Sequence, residues 1–336
     1  MSIFYVTTSN DSVSGSLRYV IDKANHSNCP AEIVITPDVC KSMILSGGEI
    51  KISSNLRVVN KTGRDLTIIG GDFEERLFNI LPSSTRTIFE SSNTKLFLSG
   101  GKAKTNGGTI LVNSPSHVLI LDGIVVSGNR AVKGGGIYTA GRIILNSSTV
   151  RLNQAFSQGG GIWSEKGVIA TESQITENQI IIPNESSAGD GIFVDNGNCT
   201  LNKSSVSHNK VIYTDSTGGS GGGIVVMVGD IYVQNDSHVD DNEAYNSGGI
   251  QEGQGNIYLT NGSSASRNKS TNSNRGSAGG GGIIITQGNV FVYRSDIVDN
   301  TTVGMYSGGI VSLVGDVIIQ HSKILRNSNR CIFMSK

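Results

Sequence analysis

Proline, aromatic rings and net charge are all scarce in this chain, and each shortage removes a class of explanation. Five prolines in 336 residues exclude a proline-rich or collagen-like rod. Aromatics make up 6% of the residues, with a single tryptophan, so any aromatic cluster has to be sought in a few places. The 27 basic and 27 acidic side chains cancel, which predicts no electrostatic capture of nucleic acid or of an anionic membrane. No apolar run approaches the roughly 18 residues needed to span a bilayer, so no membrane insertion is expected. The segment from Met1 to Thr8 has neither a basic n-region nor an apolar h-region, and no signal peptide is expected from it. Cys29, Cys40, Cys199 and Cys331 form no CxxC pair, so neither a metal site nor a cofactor is called for. Plain thiols are expected rather than a disulfide framework, with a Cys29–Cys40 bridge left open.

What the chain has in excess is glycine, 44 residues where about 7% would be usual. The glycines recur in register. Gly134-Gly135-Gly136-Ile137 returns as a glycine-flanked isoleucine at Ile162, Ile192, Ile224, Ile250, Ile283 and Ile310. Each is answered by an asparagine: Asn153, Asn178, Asn209, Asn242, Asn268, Asn300 and Asn327. Isoleucine to asparagine takes 16, 16, 17, 18, 18, 17 and 17 residues, whereas asparagine to the next isoleucine takes 9, 14, 15, 8, 15 and 10. A held spacing alternating with a drifting one is the mark of stacked coils with one variable loop.

Three short strands fit each repeat. The first begins at the isoleucine. The second follows a glycine and carries an inward pair two residues apart, such as Ile143/Leu145 or Ile231/Val233. The third reads Ser-x-Val/Ile/Ala-x-x-Asn, as in Ser148/Val150/Asn153. A spacing of two puts side chains on one face, and strands this short must pair with their counterparts one coil away, about 4.8 Å off. The expected fold is therefore all-β: a single-stranded, right-handed parallel β-helix of three parallel sheets, the hand following the rule for parallel crossovers. The regular coils should span roughly 35 Å and the rod about 50 Å at that spacing. The glycines are expected to serve sharp turns with positive φ. The asparagines are expected to form a ladder of amides, with the serine column doing the same more weakly.

Residues 1–75 read as an irregular start and 76–336 as regular coils of one continuous domain. Within the first part, Gly15 to Asn25 reads as a short helix with Ser16 as N-cap and Leu17, Val20, Ile21 and Ala24 on one face. It is a suitable lid for the open end of a stacked core.

The paired motifs, Gly135-Gly136-Ile137 with Val150-Arg151-Leu152-Asn153 through Gly308-Gly309-Ile310 with Ile324-Leu325-Arg326-Asn327, resemble the GGA[ILV] and FxxN repeats of the chlamydial polymorphic outer membrane proteins. Val, Ile or Ala stands here for the phenylalanine. The run from Gly15 to Asn25 resembles the cap of large bacterial β-helix surface proteins, and similar repeats occur in large DNA viruses. The resemblance implies a pectin-lyase-like coil at a cell surface, secreted or on a virion, with an adhesive or structural role toward a protein or glycan partner.

The same fold carries pectin-degrading enzymes, so the chemistry has to be weighed. Of the elements found in hydrolases resembling this fold, only an Asp-Asp step occurs, at Asp240-Asp241. The position before each ladder asparagine reads Glu177, His208, Asp241, Arg267, Asp299, Arg326. Glu177, His208 and Asp241 could make an acid/base cluster, but alternating signs fit a column that neutralises itself, and no catalytic residue is assigned. Two outward columns are apolar. Tyr138, Trp163 and Phe193 follow the isoleucines and offer aromatic faces of the kind that hold a sugar. Tyr232, Tyr258 and Phe291, in the second strand, belong to a stripe that predicts an interface with a partner or with further copies of the chain. Long polar loops after Asn178, Asn209 and Asn268, with the sequon at Asn184, are candidate recognition and modification segments.

Overall fold

The computed structural model describes residues 1–336 apart from 28, 72–73, 182–187, 213–218, 272–278, 305 and 336. The three recognition loops and Asn184 lie largely outside the described residues. Among those described, the chain winds into a β-solenoid of about eleven turns, with parallel pairing throughout and strand n of one turn bonded to strand n of the next. Register runs as the repeat requires: Ile137 to Ile162 to Ile192 in one sheet, Ile143 to Val168 to Cys199 in the second, and Val150 to Ile175 to Val206 in the third. These inward residues are fully buried and belong to one core that runs from Val6 to Ile310.

Among the described residues the sheets number four rather than the expected three: one of twelve strands, two of eleven and one of seven. The fourth arises just after the ladder asparagine, where segments such as Gln154–Gln158, Gln179–Ile180 and Lys210–Val211 pair in parallel. Each turns one small or branched residue inward, among them Ala131, Ala155, Ile180 and Val211. Two residues with one buried side chain fall below the length at which alternation signals a strand.

The asparagine ladder forms as expected and is closed on every atom. The Asn153 side-chain amide donates to Asn178 Oδ1 (3.0 Å) and to the Val126 carbonyl (3.1 Å), while its backbone N–H also donates to Asn178 Oδ1 (3.1 Å). The pattern repeats from Asn129 to Asn327. The serine column is a second ladder, in which an Oγ accepts the N–H of the serine one turn earlier, as Ser173 does from Ser148 and Ser204 does from Ser173, from Ser148 as far as Ser263 and again from Ser295 to Ser322. A third was not foreseen: Asn198, Asp230, Asn256 and Asn289 each accept the backbone N–H of the residue one turn on, ending at Asp316.

The glycines serve two purposes, only one of which is turning. Gly134, Gly159, Gly189 and Gly221 hold φ between 59° and 68°, where a Cβ is costly. The glycine next to the isoleucine has no such φ. A Cβ on Gly136 would meet Gly161 O at 2.8 Å and the Asn153 amide at 3.1 Å, and one on Gly223 would meet Gly249 O at 2.7 Å and Asn242 Nδ2 at 3.0 Å. The glycine makes room for the ladder, which is why the two motifs travel together.

Before the regular coils, Leu17–Asn25 forms a helix whose N-cap, Ser16, accepts the Tyr19 N–H at 3.2 Å. Its Leu17, Val20, Ile21 and Ala24 are buried in the common core against the first strands. Nearby, Arg18 is paired with Asp11 at 3.0 Å and donates to the Gly48 and Glu49 carbonyls. All four cysteines are free thiols, Cys29 and Cys40 exposed and Cys199 buried.

Candidate functional site

The column before the ladder asparagines sits at a sharp corner. Leu152, Glu177, His208, Asp241, Arg267, Asp299 and Arg326 all hold φ between 52° and 60°, a left-handed conformation uncommon outside glycine and asparagine. The corner stacks these side chains one strand spacing apart. Glu177, His208 and Asp241 do come together, lining an open depression of about 410 Å³ with Leu152, Gln179, Lys210 and Glu243. Two of its three carboxylates, Asp241 and Glu243, are engaged in ion pairs, however. Arg267 binds Asp241 with two bonds of 2.9 and 2.8 Å and reaches Asp240 at 3.3 Å. Asp240 also accepts from Ser264 Oγ and the Ser266 N–H. Glu243 is paired with Lys269 at 3.0 Å, and Asp299 with Arg326 at 2.6 Å. Arg326 holds the Asp299 carboxyl below its ordinary range. The alternating column neutralises itself where these pairs form, and the Asp-Asp step has an arginine across it instead of a free partner.

Tyr138, Trp163 and Phe193 are placed differently from the expectation of a sugar platform. Trp163 and Phe193 are only 6% and 4% exposed, in a small second core with Ala188 and Val225. The positive-φ glycine corners fold over them: a Cβ on Gly189 would lie 2.9 Å from Phe193 Cβ, and one on Gly221 would lie 2.0 Å from Val225 Cγ2. The rings also stack on one another, Tyr138 on Trp163 at 4.3 Å and 3°, Trp163 on Phe193 at 6.1 Å and 13°. Faces turned toward each other along the rod are not open to a ligand. Period-two alternation marked this column as outward, which it is; that a neighbouring corner covers it is not visible in the pattern.

Tyr232, Tyr258 and Phe291 are aligned in register on the outer face of the twelve-stranded sheet and are half-buried. Their rings stack at 4.9 Å, 4° and 5° apart in plane, leaving the edges to solvent. The Tyr232 hydroxyl donates to Asp230 at 2.9 Å. Burial and that neighbouring carboxylate push its pKa up to about 12. The column continues through Ile88, Ile120, Ile144, Ile169 and Thr200 below and Ile318 above. Below Ile88 it turns charged: Arg57 is bracketed by Glu32 and by Glu90, the latter at 2.7 Å.

Two buried carboxylates went unremarked in the sequence. Glu252 lies inward on the first strand between Val226 and Ile285, and Asp190 occupies the middle position of a glycine triplet. Both are fully buried, and among the described residues neither has a hydrogen-bond partner. Burial pushes the Glu252 pKa up to about 9 and raises that of Asp190 as well. An acidic residue two places after the isoleucine, or inside the triplet, was the available signal. Among the described residues no cluster of His, Cys, Asp or Glu could hold a metal ion, and no helix is long and apolar enough to cross a membrane. Compared with known proteins, the chain matches no family model, no curated sequence and no solved structure.

Proposed function

We propose that this chain is a non-enzymatic β-helix rod displayed at a surface, adhesin-like or part of a virion or envelope. It binds a macromolecular partner through the outer face of its twelve-stranded sheet. In this reading the coil is right-handed and pectin-lyase-like, and the helix Leu17–Asn25 is the lid that keeps water from the first turn of the core. The observation that carries the reading is the column from Ile88 to Ile318, one side chain per turn over nine turns and apolar at all but Thr200. Solvated β-sheet faces are normally polar, and the third-strand outward column of this rod is, with Gln174, His238 and Lys323 exposed.

Binding of the labelled full chain to cells should be saturable. It should be lost in the double variant Ile144→Lys, Tyr258→Lys with circular dichroism unchanged; equal binding by the variant would remove the face from consideration. A second reading, a carbohydrate-active enzyme with a non-standard site, draws on the depression that gathers Glu177, His208 and Asp241. Assayed against a panel of polysaccharides, the chain should show no turnover. Sustained depolymerisation that disappears with Glu177→Gln or Asp241→Asn would replace the first reading with the second.

A further inference from the structure

The apolar column has an internal order that the binding reading does not require. Its lower half is aliphatic, from Ile88 to Ile169, and its upper half is aromatic, from Tyr232 to Phe291, before Ile318. Thr200, the one polar member of the nine, stands fifth and therefore at the middle. Resting on the reading that this face binds a macromolecule, we propose that its occupant is a second copy of the same chain, laid antiparallel about a two-fold axis through Thr200.

Two copies present the same face to each other only if the axis lies in the plane of contact. An axis along the strands turns the second rod end for end. Ile169 then meets Tyr232 of the second copy, Ile144 meets Tyr258, and Ile120 meets Phe291. Long rings fall opposite short β-branched chains at six of the nine matched turns, with Ile88 opposite Ile318 at both ends and Thr200 on the axis, so the gap between the sheets does not taper from one end to the other, and aromatic–β-branched pairs are favourable neighbours. An axis along the rod would instead set every residue against itself. Rings would face rings at one end, leaving a gap between isoleucines at the other.

Charge separates the two arrangements in the same direction. The outward column beside the stripe begins with the exposed Arg86 and ends with the exposed Asp316. The antiparallel arrangement brings these two opposite each other at both ends of the contact, and it leaves Arg57 and Glu32 outside the nine matched turns. The parallel arrangement would press Arg57 on Arg57 and Glu32 on Glu32, and like charges directly opposite are destabilising. Side-chain ladders of the kind seen here accompany flat sheets, which lets a long contact stay in register. At about 4.8 Å per turn the matched area is about 40 by 15 Å on each copy, or roughly 1,200 Å² in total, the lower edge for a specific interface.

Sedimentation velocity on the full chain between about 1 and 200 µM tests this. A reversible shift from the 35.3 kDa monomer to a dimer is expected, abolished by Thr200→Asp, which sets two carboxylates across the axis. Arg86→Asp or Asp316→Arg alone should weaken the dimer about tenfold at low salt, since each swap turns two attractions into two repulsions. Combining the two swaps should restore it. Both positions are exposed, so these variants do not threaten the fold. A monomer at every concentration would overturn the second-copy inference, and a double swap that fails to restore would overturn the antiparallel register. Saturable cell binding by such a monomer, lost in the Ile144→Lys, Tyr258→Lys variant, would leave the binding face standing without it.

Discussion

Replacing Glu252 by glutamine should make this protein more stable, and by an amount that depends on pH. The carboxyl lies between Val226 and Ile285 in the core, fully buried, with neither oxygen hydrogen-bonded. Burial is the main cause that pushes its pKa from 4.5 up to about 9. The charge of Asp230 acts in the same direction, and the Gln254 and Gly253 N–H groups moderate the shift without making a bond of ordinary geometry to the carboxyl. With the folded value above the unfolded one, the group favours folding fully below about pH 4.5, where both states carry the proton. Above that the unfolded chain releases its proton while the native state holds it, and stability falls by about 1.4 kcal/mol per pH unit until the folded pKa is reached. The loss comes to about 3 kcal/mol at pH 7 and about 6 kcal/mol by pH 9, against the 5–15 kcal/mol or so that holds a typical domain. Glutamine keeps the shape and does not titrate. Urea midpoints of wild type and Glu252→Gln, measured from pH 5 to pH 9, should diverge steadily, with the variant ahead. Other titrating groups cancel in the difference. A difference that stays constant over that range would show that the carboxyl is not buried as described.

Four further substitutions test the architecture. Asn209→Leu removes the acceptor of the Asn178 N–H and amide and the donor to Ile175 O and Asn242 Oδ1; a loss of about 4 kcal/mol in chemical denaturation is expected. Gly223→Ala, whose Cβ would stand 2.7 Å from Gly249 O and 2.9 Å from Val239 Cγ1, should cost about 3 kcal/mol by overpacking. Gly128→Ala, in open space but at φ 66°, should cost only about 1 kcal/mol, so equal losses at the two sites would refute the steric account of the motif glycine. Asp190→Gly restores the residue found at the same triplet position in Gly135, Gly160 and Gly222 and removes an unpartnered buried carboxyl. The melting temperature at pH 7 should rise, corresponding to about 1–3 kcal/mol, and a fall would mean that Asp190 has a partner in the folded chain.

Much of the candidate surface was legible as well, because alternation reports which face a side chain is on. Tyr232, Tyr258 and Phe291 were placed outward and are outward. Tyr138, Trp163 and Phe193 were also placed outward, yet Trp163 is buried, because being outside the core of one's own sheet does not mean being in water. The corner that covers them is built from the glycine triplet and the short fourth sheet, whose two-residue strands carry too few side chains to show a period. The acid/base cluster illustrates the same limit. Glu177, His208 and Asp241 could be stacked from their spacing alone, but the two bonds from Arg267 to Asp241 depend on where a flexible side chain falls.

The repeat by itself determined the coil, the direction of strand pairing, the inward isoleucines and the asparagine ladder. A period-two pattern inside a constant repeat leaves few other ways to bury those side chains and satisfy those amides. The tertiary structure alone decided the fourth sheet, the covering of Trp163, the glycine that makes room for the ladder and the isolation of Glu252 and Asp190. Each of these depends on contact between neighbouring turns or between corners of one turn. Those contacts are set by distances of a few ångströms between residues as much as 36 apart, which a one-dimensional period does not contain.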